Sequence, residues 1–315
     1  MSGLSARNMI ISLFDRFWNS AHAVLATATL MWAGHTVVLR MSVGEISPVL
    51  LMELRWLGSF LILLVLFHKS LPSYLPLVFK HWRWVFAMGG IGLAGFTLFL
   101  VYAAQYTTAV NLGIMQGVTP AFVMLLGWLI FRTPISWSQF FGLCSSLFGV
   151  LVLVSAGSYA SIIALEFNSG DLLMIGACLC YSGYTVAIAR RFNIPTSILL
   201  CFFAFSAFVS CSFFTVIEYA NGELILPGLK GFLLLIYCAV CPSILSQTCF
   251  IRGVELSGAN RAGLYVNLVP VFAAFLGMLI LSETLYMYHL ISLIMVLGGI
   301  FLADRDKVQP FSSRH

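Results

Sequence analysis

The sequence predicts an all-α membrane protein: ten transmembrane helices arranged as two inverted five-helix repeats around a central cavity. Three observations carry this. The chain is 61% hydrophobic and only 9% charged. A soluble domain carries about 25% charged residues, so this chain takes the bilayer rather than water as its solvent. Its apolar residues fall into ten long runs, and its second half repeats its first at an offset of about 150 residues.

A helical span needs about 20 mostly apolar residues. Runs of that kind occupy 21–39, 48–67, 84–105, 108–131, 137–156, 171–189, 194–218, 230–251, 259–281 and 287–303. The breaks carry turn or charge signals, among them Pro72 and Pro76, Arg132 to Pro134, Arg190 to Pro195, and Asn221-Gly222. The chain therefore divides into an N-terminal segment 1–20, a first five-helix repeat 21–156, a linker 157–170, a second repeat 171–303 and a tail 304–315. The links are short, the longest being 68–83 and 157–170, which leaves no room for an inserted soluble domain. Residues 1–20 lack the long apolar core and small-residue cleavage site of a secretory signal peptide, so none is expected.

Lysine and arginine give the orientation, because they collect on the cytoplasmic side. With the N-terminus inside, Arg7, Arg16, Lys69, Lys80, Arg83, Arg132, Arg190, Arg191, Arg252, Arg261, Arg305, Lys307 and Arg314 all lie inside or at inner span ends, against Arg40 and Lys230 outside. Both termini are then cytoplasmic, the protein is multi-pass in the cell inner (plasma) membrane, and linker 157–170 is extracytoplasmic. Glu45, Glu166, Asp171, Glu218, Glu223 and Glu283 gather on the outer side. The net charge of +5 is accounted for by this asymmetry and calls for no nucleic acid.

The repeat is direct to read. Residues 109–130 set against 259–280 match at Ala109, Gly113, Pro120, Phe122, Leu126, Gly127, Leu129 and Ile130, eight of twenty-two, with Pro270 under Pro120. Gly149 falls on Gly299, and Trp32-Ala33-Gly34-His35 falls on Tyr181-Ser182-Gly183-Tyr184. Five spans per half is odd, so matching halves must be inverted relative to one another, which is a signature of carriers that alternate about a midplane site.

These residues resemble a known family. Trp32 to Arg40, Pro48 to Arg55-Trp56, Ala109 to Pro120, Gly170-Asp171-Leu172-Leu173 with Tyr181 to Arg190, and Gly258-Ala259 to Pro270 followed by Leu281-Ser282-Glu283 are similar, in order, to the EamA-type members of the drug/metabolite transporter superfamily. The resemblance spans about residues 20–305. It implies a ten-span fold with a cavity between the halves, and export, less often uptake, of amino acids and similar metabolites. One departure is Thr133, where the family tends to place a glutamate equivalent to Glu283.

Polar groups inside spans are costly and each asks for a reason. Glu53 and Arg55 lie in span 2, two residues apart and so on different faces; they are candidates for coupling and for holding an anionic group, or for structural pairing with neighbouring spans. Trp32, His35, Tyr102, Gln105, Gln116, Tyr181, Tyr184, Gln247, Tyr265 and Asn267 are the candidate substrate contacts, with helix bridging as the alternative. Pro120 and Pro270, at matching repeat positions, are candidate hinges. Trp56, Trp82, Trp84 and Trp137 read as interfacial anchors.

All eight cysteines lie in apolar runs, which fits buried thiols rather than disulfides or a zinc site. No metal or cofactor is expected. An enzyme would need a nucleophile with its base, or a metal cluster, at one depth; there is no H-E-x-x-H and no G-x-S-x-G. The expected partners are a small-molecule substrate and lipid, with a homo-oligomer possible. The reading is an exporter of a small metabolite such as an amino acid or derivative. The alternatives are an uptake carrier for a nucleoside-like or S-adenosylmethionine-like metabolite, or a non-transporting membrane scaffold.

Overall fold

A computed structural model describes residues 2–163, 168–281, 284 and 286–305. Glu166, Ser282, Glu283, Lys307 and Arg314, which the sequence reading placed in loops, motifs or tail, lie outside the described residues. Those described form an all-helical bundle with ten segments long and apolar enough to span a membrane: Ala21–Met41, Pro48–Phe67, Trp82–Ala103, Asn111–Phe131, Trp137–Val154, Ser169–Ile188, Thr196–Ala220, Leu229–Ser257, Ala259–Ile280 and Met287–Asp304, called spans 1 to 10 below. Each overlaps the run read from the sequence. Three further helices, Ser2–Trp18, Leu71–Lys80 and Tyr159–Ile163, occupy segments read only as links or ends.

Packing between the spans follows the repeat. Span 1 packs on spans 8 and 9 as span 6 packs on spans 3 and 4; span 2 packs on span 8 as span 7 packs on span 3. Spans 2 and 7, 4 and 9, and 5 and 10 pack on their own equivalents. Exchanging the halves thus returns these contacts, the pattern of a pseudo-two-fold axis. Spans 5 and 10 cross closely. A Cβ added to Gly299 would fall on the carbonyl oxygen of Gly142, and one added to Gly149 would sit 3.1 Å from the carbonyl oxygen of Ser292. Gly142 and Ser292, like Gly149 and Gly299, are 150 residues apart. Small residues let two helix backbones approach where lipid supplies no hydrophobic drive.

The four spans around the centre are irregular in matching pairs. Span 4 is interrupted between Ala109–Gly117 and Thr119–Phe131, and span 9 between Ala259–Tyr265 and Leu268–Leu281. Each second segment has a proline in its first turn, where the missing N–H costs no helical hydrogen bond: Pro120 and Pro270. Spans 3 and 8 contain widened π-helical turns at Ala87–Gly95 and Cys241–Leu245, and resume α-helix at Phe96 and Ser246, again 150 residues apart. Such insertions concentrate at functional sites. The glycines of span 3 admit its neighbours: a Cβ on Gly89 would lie 2.8 Å from Cα of Phe203, and one on Gly92 would lie 2.8 Å from Cβ of Tyr184.

The end of the bundle where span 1 begins and span 10 finishes, here the basic end, is tied together by charge. Arg261 donates to Asp304 at 2.8 Å, and His22 Nε2 lies 3.2 Å from the other Asp304 oxygen. His22 Nδ1 also bonds the Tyr265 hydroxyl. Arg191 pairs with Glu255, and Arg252 reaches Glu255 at 3.2 Å and Asn19 at 2.9 Å. At the opposite end the fully buried Asp171 accepts from Thr107 at 2.8 Å, Asn111 at 3.0 Å and the Asn168 backbone at 3.0 Å, which fixes the start of span 6 against spans 3 and 4.

Candidate functional site

Between the two halves lies a cavity of about 560 Å³. It takes residues from spans 1, 2, 3, 4, 6, 8 and 9 and from the facing ends of spans 5 and 10. It reaches the end opposite the basic one, where Thr36, Arg40 and Ala156 are exposed. Its floor is aromatic. Trp32 meets Tyr181 edge-on at 5.8 Å between ring centroids and Phe250 at 5.1 Å; Tyr181 meets Phe250 at 5.8 Å. Phe250 is fully buried. Beneath them Tyr184 donates its hydroxyl to Gln247 Oε1 at 3.1 Å, and its ring packs on Phe203. Rings of this size, in edge-on and tilted contact, fill the gap between the halves.

The irregular backbone serves this site. The π-helical turn of span 8 presents the Pro242 carbonyl, which accepts from the Trp32 indole N–H at 3.2 Å. That bond holds the indole across the floor. The break in span 9 puts Val266, Val269 and Pro270 on the wall, and the break in span 4 puts Gln116 and Thr119 there.

The charge in the cavity comes from span 2. Arg55 is 5% exposed, donates through Nη1 to Nε2 of His35 at 2.9 Å, and lies with its guanidinium carbon 4.7 Å from the centre of the Trp56 ring. Arg55 makes no ion pair among the described residues. Glu53 turns instead to span 7, where the Ser212 hydroxyl donates to it at 2.8 Å. Three buried polar atoms of the lining have no hydrogen-bond partner: Arg55 Nε, Trp56 Nε1 and the Tyr181 hydroxyl. Buried donors are ordinarily satisfied, so each such exception asks for an explanation.

A five-span bundle, doubled, thus encloses a shared cavity. The model of the EamA-like transporter family matches residues 19–155 and, a second time, residues 168–303. The chain belongs to that family. Among its relatives, an uncharacterized transporter of Bacillus subtilis, YetK, is 26% identical over 92% of this chain and 88% of its own length. An uncharacterized transporter of Archaeoglobus fulgidus is 26% identical over 92% of this chain and 99% of its own. Protein PecM of Dickeya dadantii is 21% identical over 84% and 88%. A protein of known crystal structure, 19% identical, superposes with a TM-score of 0.76 over 90% of this chain and 96% of its own; at that identity the likeness is one of fold. Family and relatives point to a transporter rather than an enzyme.

Within this EamA-like fold the residues singled out from the sequence separate into groups. Trp32, His35, Arg55, Gln116, Tyr181, Gln247 and Pro270 line the cavity. Tyr184 and Asn267 stand behind it, Asn267 donating to Ser146 at 2.8 Å. Tyr265 sits at the basic end on His22. Tyr102 and Gln105 lie at the far end of span 3, Tyr102 against Phe214 at 6.0 Å. Glu53 faces span 7 and Pro120 is packed inside.

One reading needs correction. Trp56, read as an interfacial anchor, is 1% exposed and lines the cavity beneath the Arg55 guanidinium. It lies nine residues into span 2, deep enough to be inside the bundle, and its neighbour Arg55 was the signal for that. Thr97 and Phe96, just past the π-helical turn of span 3, also line the cavity and went unremarked. Only the offset of 150 residues from Gln247 and Ser246 marks them in the sequence.

Proposed function

We propose that this chain is an exporter in the plasma membrane, with its basic end in the cytoplasm, that moves a small organic metabolite of amino-acid size or an amino-acid derivative by alternating access. One observation carries the reading: a largely apolar cavity with a few polar side chains between two repeated halves, open towards one end and closed at the other by an aromatic floor and a network of ion pairs. A pocket of about 560 Å³ falls within the usual range for small-molecule sites. In carriers of inverted repeats, rocking one half against the other exposes the same site to either side. Trp32, His35, Gln116, Tyr181 and Gln247 would contact the solute, with Tyr184 supporting Gln247 from behind. The breaks beside Pro120 and Pro270 would absorb the movement.

The test is efflux from proteoliposomes loaded with a mixed panel of amino acids, their derivatives and small organic acids and analysed by mass spectrometry. At least one member should leave faster than from protein-free vesicles. Trp32→Ala and Tyr184→Ala should lower that flux about tenfold, equivalent to the loss of ~1.4 kcal/mol of interaction, without lowering the amount of protein in the membrane. Vesicles that retain the whole panel count against the reading, and normal flux in both variants counts against the site.

A further inference from the structure

We infer that the solute is a small organic acid bound as its anion, its carboxylate held by Arg55 and its apolar or aromatic body lying against Trp32, Phe96 and Tyr181. The inference rests on the carrier reading and narrows it to a substrate class.

The three unpartnered polar atoms of the cavity are of one kind. A guanidinium N–H, an indole N–H and a phenol O–H all donate. What these three lack is an acceptor, and a carboxylate is the small group that offers several lone pairs and a charge together. A guanidinium inside a membrane bundle is costly unless paired, yet Arg55 is held only by a neutral imidazole nitrogen and the face of an indole. Its nearest acid in sequence, Glu53, is bonded to Ser212 on span 7. Arg40, Arg55, His35 and His289 line the cavity, while no aspartate or glutamate does so among the described residues. A zwitterionic amino acid would place its ammonium beside the Arg40 and Arg55 guanidiniums, with no carboxylate among the described lining residues to receive it. A monocarboxylate meets no such conflict. The remaining walls are rings and aliphatic side chains, including Leu93 and Leu100, which suits an apolar body.

The test is direct binding to the purified full-length protein in lipid nanodiscs at pH 7.5, by calorimetry. The probes are phenylacetate, 3-phenylpropionate and 4-phenylbutyrate, each beside its primary amide, which keeps shape and loses charge. At least one acid should bind about tenfold or more tightly than its amide, the size of a hydrogen bond to a charged group. Arg55→Gln should reduce that preference to near unity. Arg55→Lys should retain part of it, since a point charge remains without the bidentate fork. Tyr181→Phe, which keeps the ring in the floor, should weaken the acids several-fold and leave the amides unchanged. The inference is overturned by a series in which no acid binds, by amides that match their acids, or by a preference that survives Arg55→Gln. If Arg55→Gln does not fold, Tyr181→Phe decides: unchanged acid affinity overturns the inference. The two readings fail separately. Acid binding without flux removes the carrier reading alone, and flux of neutral solutes with no acid preference in binding removes this one alone.

Discussion

The hydroxyl of Ser145 on span 5 donates to the backbone carbonyl of Met295 on span 10 at 2.9 Å, and the two residues are each other's equivalents, 150 positions apart. A contact between equivalents marks where the two halves exchange. Around it Gly142 and Gly149 face Gly299 and Ser292 in the same swapped pairing. The crossing of spans 5 and 10 is therefore a joint between the repeats.

That joint makes a prediction about neighbouring glycines. A Cβ at Gly299 would meet the Gly142 backbone, whereas one at Gly298 would meet nothing within 4 Å. Gly299→Ala should destabilise by about 1–3 kcal/mol, the usual cost of overpacking. Gly298→Ala should stay within about 0.5 kcal/mol of the parent. Thermal melting of the two variants in the same detergent checks the contrast.

At the basic end, Asp304 receives both Arg261 and His22. Asp304→Asn removes the charge and should loosen closure there. The pair is partly exposed, so the interaction is worth about 1 kcal/mol or less and the balance of states should move by roughly two- to fivefold. A cysteine placed at the buried wall residue Val266, in a background free of other cysteines, should then react faster with a reagent applied from the basic end. An unchanged rate would mean that the aromatic floor alone keeps that end shut.

The opposite end depends on Asp171, buried and bonded to Thr107, Asn111 and the Asn168 backbone. Asp171→Asn weakens charge-assisted bonds and turns two acceptors into one acceptor and one donor. A loss of about 1–3 kcal/mol is expected, the cost of leaving a buried group unsatisfied. Asp171→Ala at the same site and a melting curve for each variant separate lost bonds from lost volume.

Much of this was legible in the chain itself. The ten spans follow from apolar length, and the repeat from identities such as Pro120 with Pro270, because membrane helices must satisfy their own backbone and so declare themselves by composition. The breaks in spans 4 and 9 were signalled by those prolines. The π-helical turns were not, since Ala87–Gly95 is about as apolar as the helix after it, Pro242 in Cys241–Leu245 does not fix a hydrogen-bond register, and that register is made by packing against spans 6, 7 and 1. The site was only partly legible for the same reason. Trp32, His35, Arg55 and Tyr181 share a cavity because spans 1, 2 and 6 converge there, while Tyr265, with an equally polar tip, ends at the basic end on His22. Side-chain chemistry told which residues needed partners; depth and rotation in the bundle decided which partners they found.

Inversion of the halves underlies every statement about the cavity, and equivalent loops test it directly. Val43 follows span 1 and Asn193 follows span 6, and both are exposed. In cysteine-free protein carrying either Val43→Cys or Asn193→Cys, a membrane-impermeant maleimide added to intact cells should label position 43 and spare position 193, with the reverse in inside-out vesicles. Labelling of both positions from the same side would contradict the account.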